Sequence, residues 1–187
     1  CGRLEGIPLA IELAAARAAA FTPARMLALL GRRFDLLVSR RQDTTLRHAS
    51  LWAALQWSEA LLSPDLQQFF ARLSVFRGGW SLPAAVAVCE APDAATYLGE
   101  LRELSLVTAE EVEGETRYRL LETVREFGAE RLSPEEEDAL RRRHADYFTT
   151  LAETAEWELR GRDQVAWLNR LTREHENLRA ALAWAHA

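Results

Sequence analysis

The residues with the widest chemical range in this 187-residue sequence are four histidines and two cysteines. Zinc enzymes can place two histidines four positions apart on one helix, and zinc ribbons pair cysteines as CxxC. Neither spacing occurs, because Cys1 and Cys89 are far apart and the histidines are scattered at positions 48, 144, 175 and 186. We therefore expect no metal site, free thiols in a reducing compartment, and surface or capping roles for the histidines.

Carboxylates are abundant, and their densest run, at 135–138, follows the helix-start pair Ser133-Pro134. Acidic side chains in a first turn stabilise the positive end of the helix dipole, so this run needs no catalytic role. The glycine-rich phosphate-binding loop that ends in Gly-Lys-Ser or Gly-Lys-Thr is absent from the sequence. We therefore expect the chain not to be an enzyme and to contain no catalytic residue.

The composition is typical of a helical globular protein. Hydrophobic residues make up 49% of the chain, and Ala, Leu, Glu and Arg, all strong helix formers, dominate it. No apolar run approaches the roughly 20 residues of a membrane-spanning helix, and no signal peptide pattern is present. We expect a cytoplasmic protein without membrane contact. Because the first residue is Cys1 and not Met, we also expect a piece of a longer protein.

Start and stop signals divide the first 105 residues into short helices. Pro8 suits a first helical turn, a second helix follows Thr22-Pro23, and the polar residues 39–45 indicate a connector. A turn is expected at 76–80, and Ser81 and Asp93 are expected N-caps. The further helices are expected at about 48–62, 66–73, 83–89 and 94–104.

The apolar period changes from helical to alternating after residue 105. Residues 106–112 and 116–121 predict two strands around the turn residues 113–115, which include Gly114. In the second strand apolar residues alternate with Arg117 and Arg119, which predicts one buried face and one face toward water. A helix at about 122–132 follows, and the order of helices, single hairpin and helix indicates a winged helix.

A long helix is expected from Ser133-Pro134 to about Leu159, with Gly161 as its stop and one more helix from about Asp163 to Trp184. Two amphipathic antiparallel helices are typical of the first unit of an α-solenoid such as a TPR array, so further repeats are expected downstream. Aromatic side chains at helical spacing indicate packing more often than a ligand groove. These aromatic residues are Tyr147, Phe148, Trp157, Trp167 and Trp184.

These patterns predict a mainly α fold in three parts. Residues 1–45 form a helical subdomain, 46–132 a winged helix with one β-hairpin, and 133–187 a TPR-like helical hairpin.

Five segments of the sequence resemble NB-ARC modules, which belong to the STAND class of signalling ATPases and occur in bacterial regulators, including some of LuxR type. GRLEGIPLAIELA at 2–14 resembles the Gly-x-Pro segment of that family. The other segments follow in family order, and the last resembles the start of the repeats. They are LRH leading into AALQWS at 46–58, LSVFRGG at 73–79, YRLLETVREF at 118–127 and EHENLRAAL at 174–182.

The resemblance implies a nucleotide switch. In such proteins a P-loop domain, a helical domain and a winged helix close around ADP, and a signal from C-terminal repeats allows ATP exchange and homo-oligomerisation. This chain would be the lid, and its partners would be its own upstream P-loop domain and downstream repeats. By the same resemblance the Pro8 ring packs against adenine, with Gly6 and Ile7 nearby. ADP or ATP would bind the full-length protein, with no tight binding to this chain alone.

The end of the hairpin is the second candidate contact with nucleotide. The family often has Met-His-Asp there, with the histidine reaching an ADP phosphate, whereas this sequence has Leu120-Leu121-Glu122. The Leu121 side chain has no hydrogen-bond donor, so a core position is the simpler interpretation. Glu122 can act as a helix cap or structural partner. Leu121 and Glu122 are therefore candidates by position only.

Two other functions remain as alternatives: a DNA-binding winged-helix domain of a transcriptional regulator, and a TPR-like protein-interaction scaffold. Residues 63–132 have a net charge of −5, and the helix at 94–104 has Glu100 and Glu103 against Arg102. The hairpin adds four glutamates, at 110, 111, 113 and 115. Because phosphate contacts dominate DNA affinity, we expect this segment not to contact DNA directly.

Overall fold

The computed structural model describes Ala15 and residues 46–186, with side chains at Ala15 and from residue 52 onward. The helices predicted at Pro8 and after Thr22-Pro23, and the connector at 39–45, lie outside these residues. In the described part the chain is mainly helical with a small antiparallel sheet. The mainly α class with a winged-helix-like hairpin is therefore confirmed.

The described residues contain eight α-helices, a short 3₁₀ helix and three strands. Up to the hairpin these are α1 (Leu46–Glu59), α2 (Pro64–Arg72), the 3₁₀ helix (Leu73–Val75), β1 (Trp80–Ser81), α3 (Leu82–Cys89), α4 (Ala94–Glu103), β2 (Thr108–Val112) and β3 (Glu115–Arg119). After it come α5 (Glu122–Ala129), α6 (Pro134–Glu158), α7 (Gln164–Arg173) and α8 (His175–Ala185). The helices before and immediately after the hairpin follow the predicted order.

The chain divides into two compact units, and the described residues of the first are 46–67 and 99–106. Small and aromatic side chains of α1 are buried, which lets helices approach closely. Ser63 caps α2, because its Oγ accepts the Leu66 N–H at 3.3 Å. The Gln67 amide donates to the carbonyl oxygen of Glu59 at 3.0 Å and thereby secures the end of α1.

The second unit comprises residues 68–98 and 107–187, and aromatic rings form much of its core. Phe76 stacks on Trp80 with ring centroids 5.2 Å apart and meets Phe148 edge to face at 6.4 Å. Phe70 lies 6.3 Å from Phe127 of α5. Rings that are fully buried remove large apolar areas from water, so this cluster stabilises the unit.

The sheet has the strand order β1-β3-β2, and both pairings are antiparallel. A two-residue turn joins β2 to β3, and its residues Glu113 and Gly114 have φ of 52° and 80°. Positive φ at both central positions matches the twist of a hairpin, so the turn predicted from Gly114 is confirmed.

Strand β1 is absent from the sequence prediction, which assigns Trp80 to a turn. Trp80 and Ser81 pair with Tyr118 and Arg117 of β3. A two-residue strand is too short to show an alternating pattern. Gly79 permits this pairing, since its φ is +106° and a Cβ atom there would lie 2.8 Å from the Tyr118 carbonyl oxygen.

Two predicted helix starts are confirmed by their caps. Ser81 Oγ accepts the Ala84 N–H at 3.4 Å at the start of α3. At the start of α6, Ser133 Oγ accepts the Glu136 N–H at 3.2 Å, while the Glu136 carboxylate accepts the Ser133 N–H at 3.0 Å. This reciprocal pair is a capping box, and it gives the acidic run a structural role.

The C-terminal region departs from the prediction of two helices. The stretch from Asp163 to Trp184 forms α7 and α8, separated at Glu174, whose side chain turns into the interior. Phe148 is buried as predicted, but the prediction that Trp157 packs in the core is wrong, because 73% of it is exposed. Within the described helices, no segment has the length and apolar character needed to cross a membrane.

Candidate functional site

Of the five residues predicted to contact nucleotide, Gly6, Ile7 and Pro8 lie outside the described residues. Leu121 and Glu122 are neighbours at the start of α5. The interpretation of Leu121 as a core residue is wrong: its backbone is extended between β3 and α5, and 49% of the residue is exposed. The region therefore presents an apolar side chain at its surface.

Glu122 is exposed in the first turn of α5 and pairs with Arg125, one turn later. The Arg125 Nε–H donates to Glu122 Oε2 at 2.9 Å. This hydrogen bond is the main reason why the pKa of Glu122 is lowered. The expectation that Glu122 has a structural partner is confirmed.

The second unit contains a buried group of polar side chains that we call the polar junction. It consists of Arg117 on β3, His144 on α6, Glu174 between α7 and α8, and Asn177 on α8. Their exposed fractions are 5%, 2%, 5% and 0%. Burial of four polar side chains is tolerated only when they satisfy one another, so their contacts are decisive.

Arg117 and Glu174 form the charged pair of the polar junction. The Arg117 guanidinium donates two hydrogen bonds to the Glu174 carboxylate, one of them with Nη2 3.3 Å from Oε2. Nη2 also lies 3.4 Å from the carbonyl oxygen of Arg173. The prediction that Arg117 lies on a face toward water is wrong, because a carboxylate distant in sequence covers that face of β3.

Asn177 joins this pair to the turn before β1. Its Nδ2 donates to Glu174 Oε2 and to the Gly79 carbonyl oxygen, both at 2.8 Å. Its Oδ1 accepts the Arg77 N–H at 2.7 Å. These partners fix the orientation of the amide, because a flipped side chain would place two donors against each other. Asn177 therefore links α8 to the segment that leads into the sheet.

His144 completes the polar junction from α6. Its Nε2 lies 3.3 Å from Asn177 Oδ1, so Nε2 carries the proton in the neutral tautomer that this acceptor favours. Burial lowers the pKa of His144 to about 4. The expectation of a surface or capping role is wrong for this histidine, which lies between the rings of Phe76 and Phe148. Its spacing with Leu140 and Phe148 on one helix face is the sequence signal for burial.

The hairpin tip has its own contacts with α7. Arg173 pairs with Glu113 and lies 3.9 Å from Glu115, and Asn169 Nδ2 donates to Glu113 at 2.9 Å. These contacts are largely exposed and individually weak, but they repeat the connection made by the polar junction. Sheet and C-terminal helices are thus joined at two places within the second unit.

The polar junction is suited to coupling the segments that carry its side chains. It contains no cysteine or hydroxyl nucleophile, and its four side chains already bond one another. Among the described residues no group of three or more His, Cys, Asp or Glu side chains is arranged to hold a metal ion. Its charged pair joins residues 57 positions apart, and Asn177 also accepts the Arg77 N–H from 100 positions away. A movement of α8 would therefore act directly on β3 and on the turn at Gly79.

The sequence is similar to mycobacterial proteins over nearly its whole length. It is 40% identical over 190 residues to proteins of Mycobacterium tuberculosis and Mycobacterium bovis that are provisionally named HTH-type transcriptional regulators. The match covers 99% of this chain and 21% of each regulator. An uncharacterized M. tuberculosis protein is 41% identical over 155 residues, which are 79% of this chain and 39% of that protein. No family model matches the sequence. The chain thus spans about a fifth of the length of the regulators that it resembles.

Proposed function

We propose that this chain is a segment of a transcriptional regulator. The observation that supports this proposal is the 40% identity to HTH-type regulators, which extends over 99% of the chain. The matched region is a fifth of those proteins, so the part of them that contacts DNA can lie outside this region. Within such a regulator, we assign the chain to signal relay.

The polar junction supports the relay role. A buried ion pair is strongly destabilised when one partner moves away, because the other charge remains desolvated. The Arg117–Glu174 pair and the Asn177 bridge are therefore either intact or broken. We expect two discrete arrangements of the C-terminal helices relative to the sheet, and no gradual sliding between them. A signal that moves the C-terminal helices would reach β3 and the Gly79 turn through these bonds.

The finer form of this proposal is the nucleotide lid implied by the NB-ARC resemblance. In that form an upstream P-loop domain binds ADP or ATP, Gly6, Ile7 and Pro8 contact the base, and activation is accompanied by homo-oligomerisation. The exposed Leu121 suits contact with a neighbouring domain. Glu122 does not suit a phosphate contact, because its carboxylate would repel the anion, although Arg125 partly neutralises it.

The lid is tested in a longer protein that contains the P-loop domain before Cys1. We expect Pro8→Ala to weaken ADP binding about tenfold, equivalent to ~1.4 kcal/mol, because a rigid ring on the base is lost. Isothermal titration calorimetry measures the change. The matched control is Pro134→Ala, which alters an exposed helix-start proline at α6. Equal ADP affinity in the wild type and Pro8→Ala would reject the nucleotide-lid hypothesis. The signal-relay hypothesis would remain.

Direct DNA binding is the second candidate, and the names of the relatives favour it more directly than they favour a nucleotide lid. The surface charge opposes it. Helix α4 exposes Glu100 and Glu103 beside Arg102, and the four glutamates of the hairpin are exposed. Such surfaces repel phosphates.

We expect no specific retardation of genomic DNA fragments by the 187-residue chain in a mobility-shift assay at low salt, where charge contacts are strongest. Two variants show whether any retardation depends on α4. Arg102→Glu changes the arginine of that helix, and the control Arg160→Glu changes an exposed arginine of the C-terminal region. Retardation that is lost in Arg102→Glu and retained in Arg160→Glu would overturn the relay assignment and establish α4 as a DNA-reading helix.

A further inference from the structure

A pocket of about 380 Å³ lies beside the polar junction, entirely within the second unit. Three arginines from three different segments line it: Arg77 after the 3₁₀ helix, Arg125 on α5 and Arg141 on α6. Convergence of three guanidinium groups is unfavourable unless negative charge compensates them.

Arg125 and Arg141 each have a carboxylate partner. Arg125 pairs with Glu122, and Arg141 pairs with Glu137 one turn away on α6. Each pair is formed within one helix, the first within α5 and the second within α6. Neither pair therefore links two walls of the pocket. They leave the third arginine without an ion-pair partner among the residues that the structure describes.

Arg77 differs from the other two. Its Nη1 is buried, and no hydrogen-bond partner for that nitrogen is present in the described part of the chain. Burial lowers the pKa of Arg77, and the positive charges of Arg125 and Arg141 lower it further, while the carboxylates of Glu122 and Glu137 oppose part of this shift. A guanidinium nitrogen withdrawn from water without an acceptor is costly, and an oxyanion is the partner that its donor geometry fits.

The other side chains that line the pocket indicate the chemical character of a ligand that would fit it. Leu132, Ala183 and Trp184 add apolar side chains to the lining, and Glu137, the partner of Arg141, adds a carboxylate. The volume falls within the ~300–1,000 Å³ range of small-molecule pockets, which combine apolar walls with a few directed polar groups. A free inorganic anion would leave this apolar surface uncovered.

From these observations we infer that the pocket binds a small organic anion, whose phosphate or carboxylate head group contacts Arg77 and whose apolar body packs against Trp184. His144 lines this pocket and also belongs to the polar junction. A bound ligand that touches His144 would therefore act on β3 through Asn177, Glu174 and Arg117 in turn, which makes this pocket the effector site of the proposed relay. Binding itself does not depend on the relay, so the two can fail separately.

The test uses phenyl phosphate and benzoate as anionic probes and benzyl alcohol as the neutral control, each titrated into the 187-residue chain. We expect saturable binding of at least one anion by calorimetry, a rise in melting temperature, and no binding of benzyl alcohol. A preference for phenyl phosphate assigns a phosphoester head group, and a preference for benzoate assigns a carboxylate. Equal binding of the neutral probe, or no saturable binding of either anion, would overturn the inference.

The variant Arg77→Gln is expected to weaken binding of the preferred anion at least about tenfold, since a charge-assisted contact is removed. Arg160→Gln, an exposed arginine outside the pocket, is the matched control and should bind like the wild type. If Arg77→Gln fails to fold, Arg141→Gln replaces it, because Arg141 lines the same pocket, its charge also attracts the anion, and it is exposed on α6. Unchanged affinity in the folded arginine variant would exclude this pocket. Anion binding without any change at β3 in amide NMR spectra would retain the pocket and reject its link to the relay.

Discussion

Replacement of Glu174 by alanine is expected to lower the free energy of unfolding by about 3–5 kcal/mol, because it leaves a buried guanidinium without its carboxylate. Arg117 and Glu174 have side-chain exposures of only 6% each, so water does not replace the missing partner. The substitution also removes the carboxylate that accepts the Asn177 amide. Urea denaturation followed by circular dichroism measures the effect.

The control for this prediction is Glu156→Ala, which breaks an exposed pair with Arg160 on the surface of α6 and should change stability by less than about 1 kcal/mol. The double variant Arg117→Met/Glu174→Met removes both charges at once. It should be more stable than Glu174→Ala, because no uncompensated charge remains. A cost below about 1 kcal/mol for Glu174→Ala would mean that the polar junction does not join sheet and helices.

The second large effect is loss of stability in weak acid through His144. Burial lowers the pKa of this histidine to about 4 in the folded chain, against the ordinary value of 6.5. Between these values the unfolded chain binds a proton that the folded chain does not, so stability decreases as the pH falls from 6.5 toward 4. The shift corresponds to about 3 kcal/mol at its full extent.

The groups that surround His144 support this lowering of its pKa. Arg77 disfavours a second positive charge, and the hydrogen bond to Asn177 opposes the shift only in part. The variant His144→Leu should lose most of the difference in stability between pH 7 and pH 4.5, measured by urea denaturation at each pH. His186→Gln, at an exposed histidine, should keep it. An identical pH profile in His144→Leu and wild type would contradict the prediction.

Local signals in the sequence predict much of the fold. Ser63, Ser81 and Ser133 precede helices and act as caps, and the turn at Gly114 joins two strands. Each of these features depends on residues within about four positions of one another, so the chemistry of a short window is sufficient. The helices and the hairpin of the described part follow from such windows.

The candidate site is less predictable because its partners are distant in sequence. Glu122 finds its partner three positions away, and its structural role could be predicted. Arg117 and Glu174 are 57 positions apart, and nothing near either residue indicates that both are buried. An arginine that alternates with apolar residues is the usual pattern of a strand face toward water, and only a buried carboxylate on another segment reverses it.

The pocket lined by three arginines also depends on residues that are distant in sequence. Arg77, Arg125 and Arg141 lie in separate elements, and their convergence depends on how α5 and α6 pack beside the 3₁₀ helix. The sequence shows only that Arg77 and Arg125 lie in the acidic segment 63–132 and that Arg141 follows it.

By itself the sequence determined the helical class, the hairpin turn and the helix caps, because hydrogen bonding and torsional preference within a few residues decide them. The tertiary structure alone decided that His144, Arg117, Glu174 and Asn177 meet in one buried junction and that Leu121 is exposed. Burial and ion pairing depend on which surfaces come together, and that information is distributed over the whole chain.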